Sequence, residues 1–237
     1  MSHTPTGEGV SLVQQAVQAV RDHIRDNDLK VGDTLPGEGH FAGKLGVSRA
    51  VMREAFGALA ALRHIEVANG RRARVGAIDG SVMAASLDHA VATAQVSINE
   101  VWDVRRTLEV RTAELAALHR TDEEAARIMA LAEALAEAGD DMDKVTAADV
   151  ALHEAIAEAS RNPLFLDIVR SFATLMRVAV PAAWRTRTTD VQRHTVIARH
   201  RALARAIADG DSESARALMN DHFDRAVEGR LPQGPAQ

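Results

Sequence analysis

The chain contains no cysteine, which excludes disulfides and any thiolate metal site. No apolar run approaches the roughly 18 residues of a membrane span. The opening residues Met-Ser-His-Thr-Pro-Thr-Gly-Glu-Gly offer no apolar core of the kind a signal peptide needs. These absences lead to the expectation of a cytoplasmic protein without a membrane partner. Beyond Gly80 strand signals are almost missing too, so a sheet-based second half is excluded and helices remain. What is there suits a folded chain long enough for two domains: 237 residues, 46% hydrophobic and 26% charged.

The net charge of -5 hides an asymmetry. Residues 36–76 carry seven Lys or Arg against three Asp or Glu, whereas residues 77–237 carry 18 against 25. A basic head on an acidic body is consistent with nucleic-acid contact through one end.

Patterning divides the chain in the same place. Val13, Val17, Val20 and Ile24 repeat at helical spacing, and Ser11 with Gln14 fits a capping box. A Gly- and Pro-rich connector over 29–37 leads to a short helix, 38–45, which Gly46 stops. Ser48 caps the next helix, running to about Arg63, and two short strands, 65–67 and 73–75, flank the Asn69-Gly70 turn. This order predicts a winged helix-turn-helix over residues 1–76. A linker at 77–80 is followed by an all-helical bundle over 81–230, with helices near 81–94, 98–119, 122–138, 141–160, 164–181, 190–209 and 212–228. Residues 231–237 are expected to be a disordered tail. The fold class is mostly α.

The start of a recognition helix meets base edges while flanking groups hold phosphates. Here it offers Ser48, Arg49 and Arg53, with the two arginines one turn apart and so on one face. Either can present a planar fork to guanine. Val51, Met52, Ala55, Phe56 and Leu59 point the other way, toward a three-helix core. The wing tip, Asn69-Gly70-Arg71-Arg72, can enter a minor groove or grip the backbone.

On these residues the chain resembles the GntR family of bacterial transcription regulators. The resemblance rests on Gly32, Leu35-Pro36, Leu45-Gly46-Val47-Ser48-Arg49, Val51, Arg53-Glu54-Ala55, Leu59, Leu62, Ile65 and Gly70. It implies DNA contacts at Ser48, Arg49, Arg53, Asn69 and Gly70. One departure stands out. After Leu-Pro the family usually has Ser/Ala-Glu-Arg, the arginine touching DNA, where this chain has Gly37-Glu38-Gly39. Gly39 cannot make that contact, which leaves His40 or Lys44 as substitutes, and the glycines weaken the short helix by about 1 kcal/mol each if they lie in its interior.

In the second half, Asp149 and His153 stand four apart on a helix and so share a face. His200 and His222 lie on later helices, and a bundle can converge such side chains at its centre. Three imidazoles and a carboxylate suit zinc first, with nickel, iron or manganese as alternatives. Among ten histidines, though, most are expected at the surface or in satisfied core positions. Arg105, on a helix, can clamp a carboxylate by two parallel bonds; read from its helix alone, its partner is Glu109 in a surface salt bridge.

Residues 80–228 resemble the FCD effector domain of the FadR subfamily. The matching residues are Val104-Arg105-Arg106-x-Leu-Glu109, Asp149-x-x-x-His153, Ala159-Ser-x-Asn162-Pro163, His200-x-x-Leu, Gly210-Asp211, Ala215 and Met219-x-x-His222. The resemblance implies a divalent metal on Asp149, His153, His200 and His222. It also implies a small organic acid as effector, touched by Arg105, with Asn162 and Arg177 as further contacts. The expected whole is a homodimeric, ligand-responsive repressor on a pseudo-palindromic double-stranded operator. One rival is a metal-dependent hydrolase-like enzyme acting on a small carboxylate, although no general base stands out beside the four ligands and the basic head would have no role. Another is a regulator whose metal is structural and which has no effector.

Overall fold

The computed structural model describes residues 11–68 and 70–228, the last five by their backbone alone. The chain divides into two compact units, Met1–Val82 and Met83–Gln237. The first contains α1 (Leu12–Asp26), α2 (Glu38–Leu45), α3 (Arg49–Ala61), β1 (Ile65–Glu66) and β2 (Arg74–Val75). The capping box at α1 is formed in full: Gln14 N–H donates to Ser11 Oγ at 3.1 Å, and Ser11 N–H donates to the Gln14 side chain at 2.9 Å. Ala16 and Val20 of α1 are buried with Leu35, Phe41, Met52, Phe56, Leu59 and Ile65, and Phe41 meets Phe56 edge-on at 6.0 Å.

Gly46 terminates α2 in the left-handed conformation at φ 67°. Gly37 is the N-cap residue of that helix and not part of its interior, where glycine costs only a few tenths of a kcal/mol. The weakening expected from Gly37 is therefore largely absent. Gly39 does lie inside the helix, which Phe41 and Ala42 hold down by burial.

The strands are shorter than their sequence suggests, pairing Ile65 with Val75 and Glu66 with Arg74 in antiparallel register. The preceding connector makes up the difference. Gly32 N–H donates to Val75 O at 2.9 Å, Val75 N–H to Asp33 O at 2.9 Å, and Leu35 N–H to Ala73 O at 2.8 Å. Residues 32–35 thus act as a third rail of the wing. The turn residue Asn69, like the expected tail 231–237, lies outside the described residues.

Among the described residues the second unit follows in eight helices, the division from the first falling inside α4: α4 (Ser81–Ala92), α5 (Ile98–His119), α6 (Asp122–Glu137), α7 (Met142–Ala159), α8 (Pro163–Ser171), α9 (Ala173–Arg185), α10 (Asp190–Asp209) and α11 (Ser212–Glu228). Capping boxes at Ser97, Thr121 and Thr189 start three of them. The single helix expected over 164–181 is two. Ser171 Oγ donates to Ile168 O at 2.6 Å, and Phe172 N–H donates to Val169 O at 3.1 Å. These bonds tighten the last turn of α8 and end it. Helix α9 then runs through Pro181 to Arg185, its burial at Ala179, Val180, Ala183 and Trp184 holding both sides of the proline.

Helix α5 packs on α7, α10 and α11, and α6 on α7 and α10. Ala113, Ala116, Ala132, Ala155, Ala159, Ala204 and Ala215 are buried at these contacts; such small side chains bring helix axes close together. Among the described residues, no helix is long and apolar enough to cross a membrane.

Candidate functional site

Helical spacing of four puts Asp149 and His153 on the buried face of α7, and His200 of α10 and His222 of α11 are brought to the same point. Ring centroids are 5.1 Å apart for His153 and His222, 4.7 Å for His200 and His222, and 6.4 Å for His153 and His200. One ring nitrogen from each histidine lies within 4.8 Å of the others. Asp149 Oδ1 is 3.5 Å from His200 Nε2.

The protonation of these rings follows from their outer partners. His200 Nδ1 is 2.9 Å from the Val196 carbonyl. A carbonyl only accepts, so Nδ1 carries the hydrogen. In the neutral ring, Nε2 then presents a lone pair to the Asp149 carboxylate, which also only accepts. His153 repeats the arrangement: its Nδ1 bonds the Glu109 carboxylate. Both Nε2 atoms are buried and have no hydrogen-bond partner among the described residues. Lone pairs and a carboxylate facing one another in a buried space call for a cation between them. Histidine ligands held from behind by a carboxylate or carbonyl are the usual outer arrangement of a metal site. The donor set fits a divalent metal, whose ligands stand about 3.4 Å apart when each is about 2.1 Å from the ion. The histidine nitrogens, all within 4.8 Å of one another, would close in on the ion to reach that spacing.

Electrostatics agree. Burial lowers the His222 pKa well below its ordinary value, helped by His200 and His153, which keeps its ring neutral and its lone pair free. At Asp149 burial pushes upward but is outweighed by the imidazoles of His200 and then His153 in their protonated forms, which hold its carboxyl well below the usual range. Glu109 is likewise held low against its burial, by Arg105 and then His153.

Beside the cluster lies a cavity of about 40 Å³, bordered by Asp149, His200, His222, Arg105, Arg187 and both tryptophans. This is room for a few water centres. Arg105 is not the surface partner that its helix alone suggests. It and Glu109 are 3% and 1% exposed, joined Nε to Oε1 at 2.6 Å. Its guanidinium also meets the Met176 sulfur and lies 5.0 Å from the Trp102 ring centre and 5.4 Å from that of Phe223. Trp102, Arg105 and Glu109 recur at three- and four-residue steps, which is how α5 presents all three to one interior.

Arg187, just beyond α9, was not singled out by the sequence. It is half-buried, and burial lowers its pKa while Asp149 draws it back up. Only its fold position separates it from Arg185 and Arg193, its exposed or surface-bonded neighbours. The two other expected effector contacts are not brought to this cavity. Asn162 is the N-cap of α8, its side chain accepting from Leu164 N–H at 3.1 Å. Arg177 is exposed on α9 and borders a separate surface cavity with Glu154 and Pro181. Asn162 was placed by its motif and Arg177 by the resemblance alone; helix capping occupies the first, and the second lies on the outer face of α9.

In the first unit, Ser48 Oγ accepts from Val51 N–H at 3.2 Å and starts α3. Arg49 is the first residue of that helix and Arg53 follows one turn on; both are exposed. The Arg49 guanidinium lies across Gly39, 3.7 Å from where a Cβ there would stand. Arg53 Nε is 3.9 Å from Glu38 Oε2. Met52, Ala55, Phe56 and Leu59 form the buried face, with Val51 half-buried. At the wing, Gly70 has φ 71°, and Arg71 and Arg72 are exposed after it.

A helix opened by exposed arginines, a basic wing, and a separate helical unit enclosing histidines beside a small cavity define a DNA-binding regulator with its own sensing domain. Residues 12–75 match the bacterial regulatory proteins of the gntR family, and residues 100–225 match the FCD domain. The HTH-type transcriptional regulator LutR of Bacillus subtilis is 29% identical over 207 residues, covering 84% of this chain and 92% of LutR. The Glc operon transcriptional activator of Escherichia coli K12 is 30% identical over 170 residues, 70% of this chain and 67% of that protein. A solved structure of Streptococcus agalactiae GntR, 23% identical, superposes with a TM-score of 0.64 over 92% of this chain and all of that one, a likeness of fold. The chain belongs to the GntR family and carries an FCD domain. It is a ligand-responsive DNA-binding transcription regulator and not an enzyme.

Proposed function

We propose that the chain is a cytoplasmic, homodimeric repressor of the FadR subfamily, released from a pseudo-palindromic operator when a small organic acid binds beside a resident divalent metal. Residues 1–76 are the DNA-binding part, 77–80 the linker and 81–230 the metal and effector part. The observation that carries the reading is the opposition of His200 Nε2 to the Asp149 carboxylate at 3.5 Å, with His153 Nε2 buried and unpartnered nearby. Asp149, His153, His200 and His222 would hold the ion, zinc first by donor type, with nickel, manganese or iron also suited. When bound, the ion supplies a fixed positive charge for a carboxylate. Arg187 and Arg105 border the same space and add to that attraction. A twofold dimer presents two winged heads, which a pseudo-palindrome mirrors. An acid that binds one arrangement of the dimer better than another shifts DNA occupancy by that difference in affinity.

The test is fluorescence anisotropy on a duplex selected by the protein from a random library, titrated with organic acids before and after metal removal by chelator. Release of DNA by an acid, only with metal loaded, supports the proposal. Acid-insensitive DNA binding by the metal-loaded protein supports the structural-metal reading in its place, and tightening by acid reverses the sign of regulation.

A further inference from the structure

Five buried side-chain nitrogens among the described residues have no hydrogen-bond partner. Two are the ligand atoms of His153 and His200. Two more are the indole N–H groups of Trp102 and Trp184, and the chain has two tryptophans in all. The residues come from distant elements, α5 and the end of α9. Each is 5% exposed, and both border the cavity that Arg187, His200 and His222 also border. An indole N–H donates only, and a buried donor without an acceptor is costly to fold around. The cavity wall does not relieve it: Leu135, Val145, Val180 and Val196 are apolar, and the acceptor atoms of Asp149, His200 and His222 make no hydrogen bond to either indole among the described residues.

We propose that Trp102 and Trp184 read the ligand, each donating its indole N–H to an oxygen of the acid bound in this cavity. The proposal rests on the reading of the cavity as the acid site. It also narrows the ligand class. One carboxylate meets the metal and the cationic side of the cavity, so two further donors call for further oxygens. Hydroxy acids and short dicarboxylates meet that requirement; plain alkanoates such as acetate and propionate leave the indoles unanswered.

The test uses the full zinc-loaded chain. Calorimetry with glycolate, lactate, malonate, malate, citrate, acetate and propionate finds the tightest binder. A ¹⁵N-labelled sample, whose spectrum holds two indole cross-peaks, is then saturated with it. Both indole protons are expected to move downfield. Trp102→Phe and Trp184→Phe, which keep an aromatic ring and remove the N–H, are each expected to weaken binding about tenfold with metal content unchanged. Should a variant fail to fold, the wild-type spectrum carries the test alone. An acid that binds with both peaks unmoved overturns the proposal, as does an alkanoate that binds as tightly as its hydroxylated counterpart. Failure of every acid to bind the metal-loaded protein overturns the acid-site reading itself.

Discussion

Glu109 and His153, 44 residues apart in sequence, meet carboxylate to Nδ1 inside the helical unit. Because a carboxylate only accepts, this contact fixes which ring nitrogen carries hydrogen and leaves the other facing Asp149, His200 and His222. The Val196 carbonyl does the same for His200. Arg105 holds the other Glu109 oxygen at 2.6 Å, so a chain of contacts runs from the aromatic cluster around Arg105 to the histidine nitrogens.

Glu109→Gln is expected to weaken metal binding by about 10–100-fold, the usual effect of losing the group behind a histidine ligand. Competition against a chromogenic chelator measures it, and unchanged affinity would remove Glu109 from the site. Glu109→Ala goes further, leaving Arg105 buried without its counter-charge, a loss of about 3–5 kcal/mol that appears as a lowered Tm.

The same pair predicts the pH dependence. At His153 burial disfavours the charged ring, but the Glu109 carboxylate outweighs it and raises the pKa. In the metal-free protein His153 therefore adds stability that is complete below its unfolded value of about 6.5 and is lost as pH rises through the raised folded value. Glu109, held low, adds stability above its unfolded value of about 4.3 that is lost as pH falls through its lowered one. A charged ring bears hydrogen on both nitrogens and cannot ligate, so metal must displace that proton at any pH below the raised His153 value. Metal affinity is expected to fall as pH falls through the raised His153 value, with proton release seen by calorimetry in buffers of different ionisation heat. A pH-independent affinity without proton release excludes His153 as a ligand.

How far the sequence shows this depends on distance along the chain. Asp149 and His153 are legible as a pair because a helix repeats every 3.6 residues. The α3 face of Met52, Ala55, Phe56 and Leu59 and the caps at Ser11, Ser48 and Thr121 are legible for the same local reason. Nothing local tells Glu109 apart from a solvated partner of Arg105, since its second contact comes from another helix. Nor does spacing separate Arg187 from the other arginines near the end of α9, or reveal that Thr34 bridges Arg74 and widens the wing. Asn162 shows the opposite hazard: a motif position suggested ligand contact, and the side chain caps a helix.

Two glycines in the first unit give opposite expectations. A Cβ at Gly76 would fall on the Arg63 carbonyl oxygen and crowd Ile65 N, both backbone, so nothing flexible can give way. Gly76→Ala is expected to destabilise the unit by about 1–3 kcal/mol. Gly57, exposed within α3, has open space around its Cβ position, and Gly57→Ala is expected to stabilise by about 0.5–1 kcal/mol. Thermal unfolding of both variants checks the contrast; equal midpoints would mean that the wing does not hold Gly76 against Arg63.

The arginines of the first unit are expected to fall into two classes on DNA. Arg49 opens α3 and leans over Gly39, free of a longer side chain at that position and able to present its fork to a base. Arg49→Ala is expected to cost about 1–3 kcal/mol on the selected operator and to relax preference at one base position. Arg71 and Arg72 follow the exposed wing turn, where contact with phosphate carries no sequence information. Replacing either by alanine should weaken specific and non-specific duplexes alike and reduce the salt slope by about one. Anisotropy titrations at several salt concentrations, on matched and scrambled duplexes, separate the classes. A sequence-independent loss for Arg49→Ala would move Arg49 to the backbone-gripping set and leave Arg53 and Ser48 as the base readers.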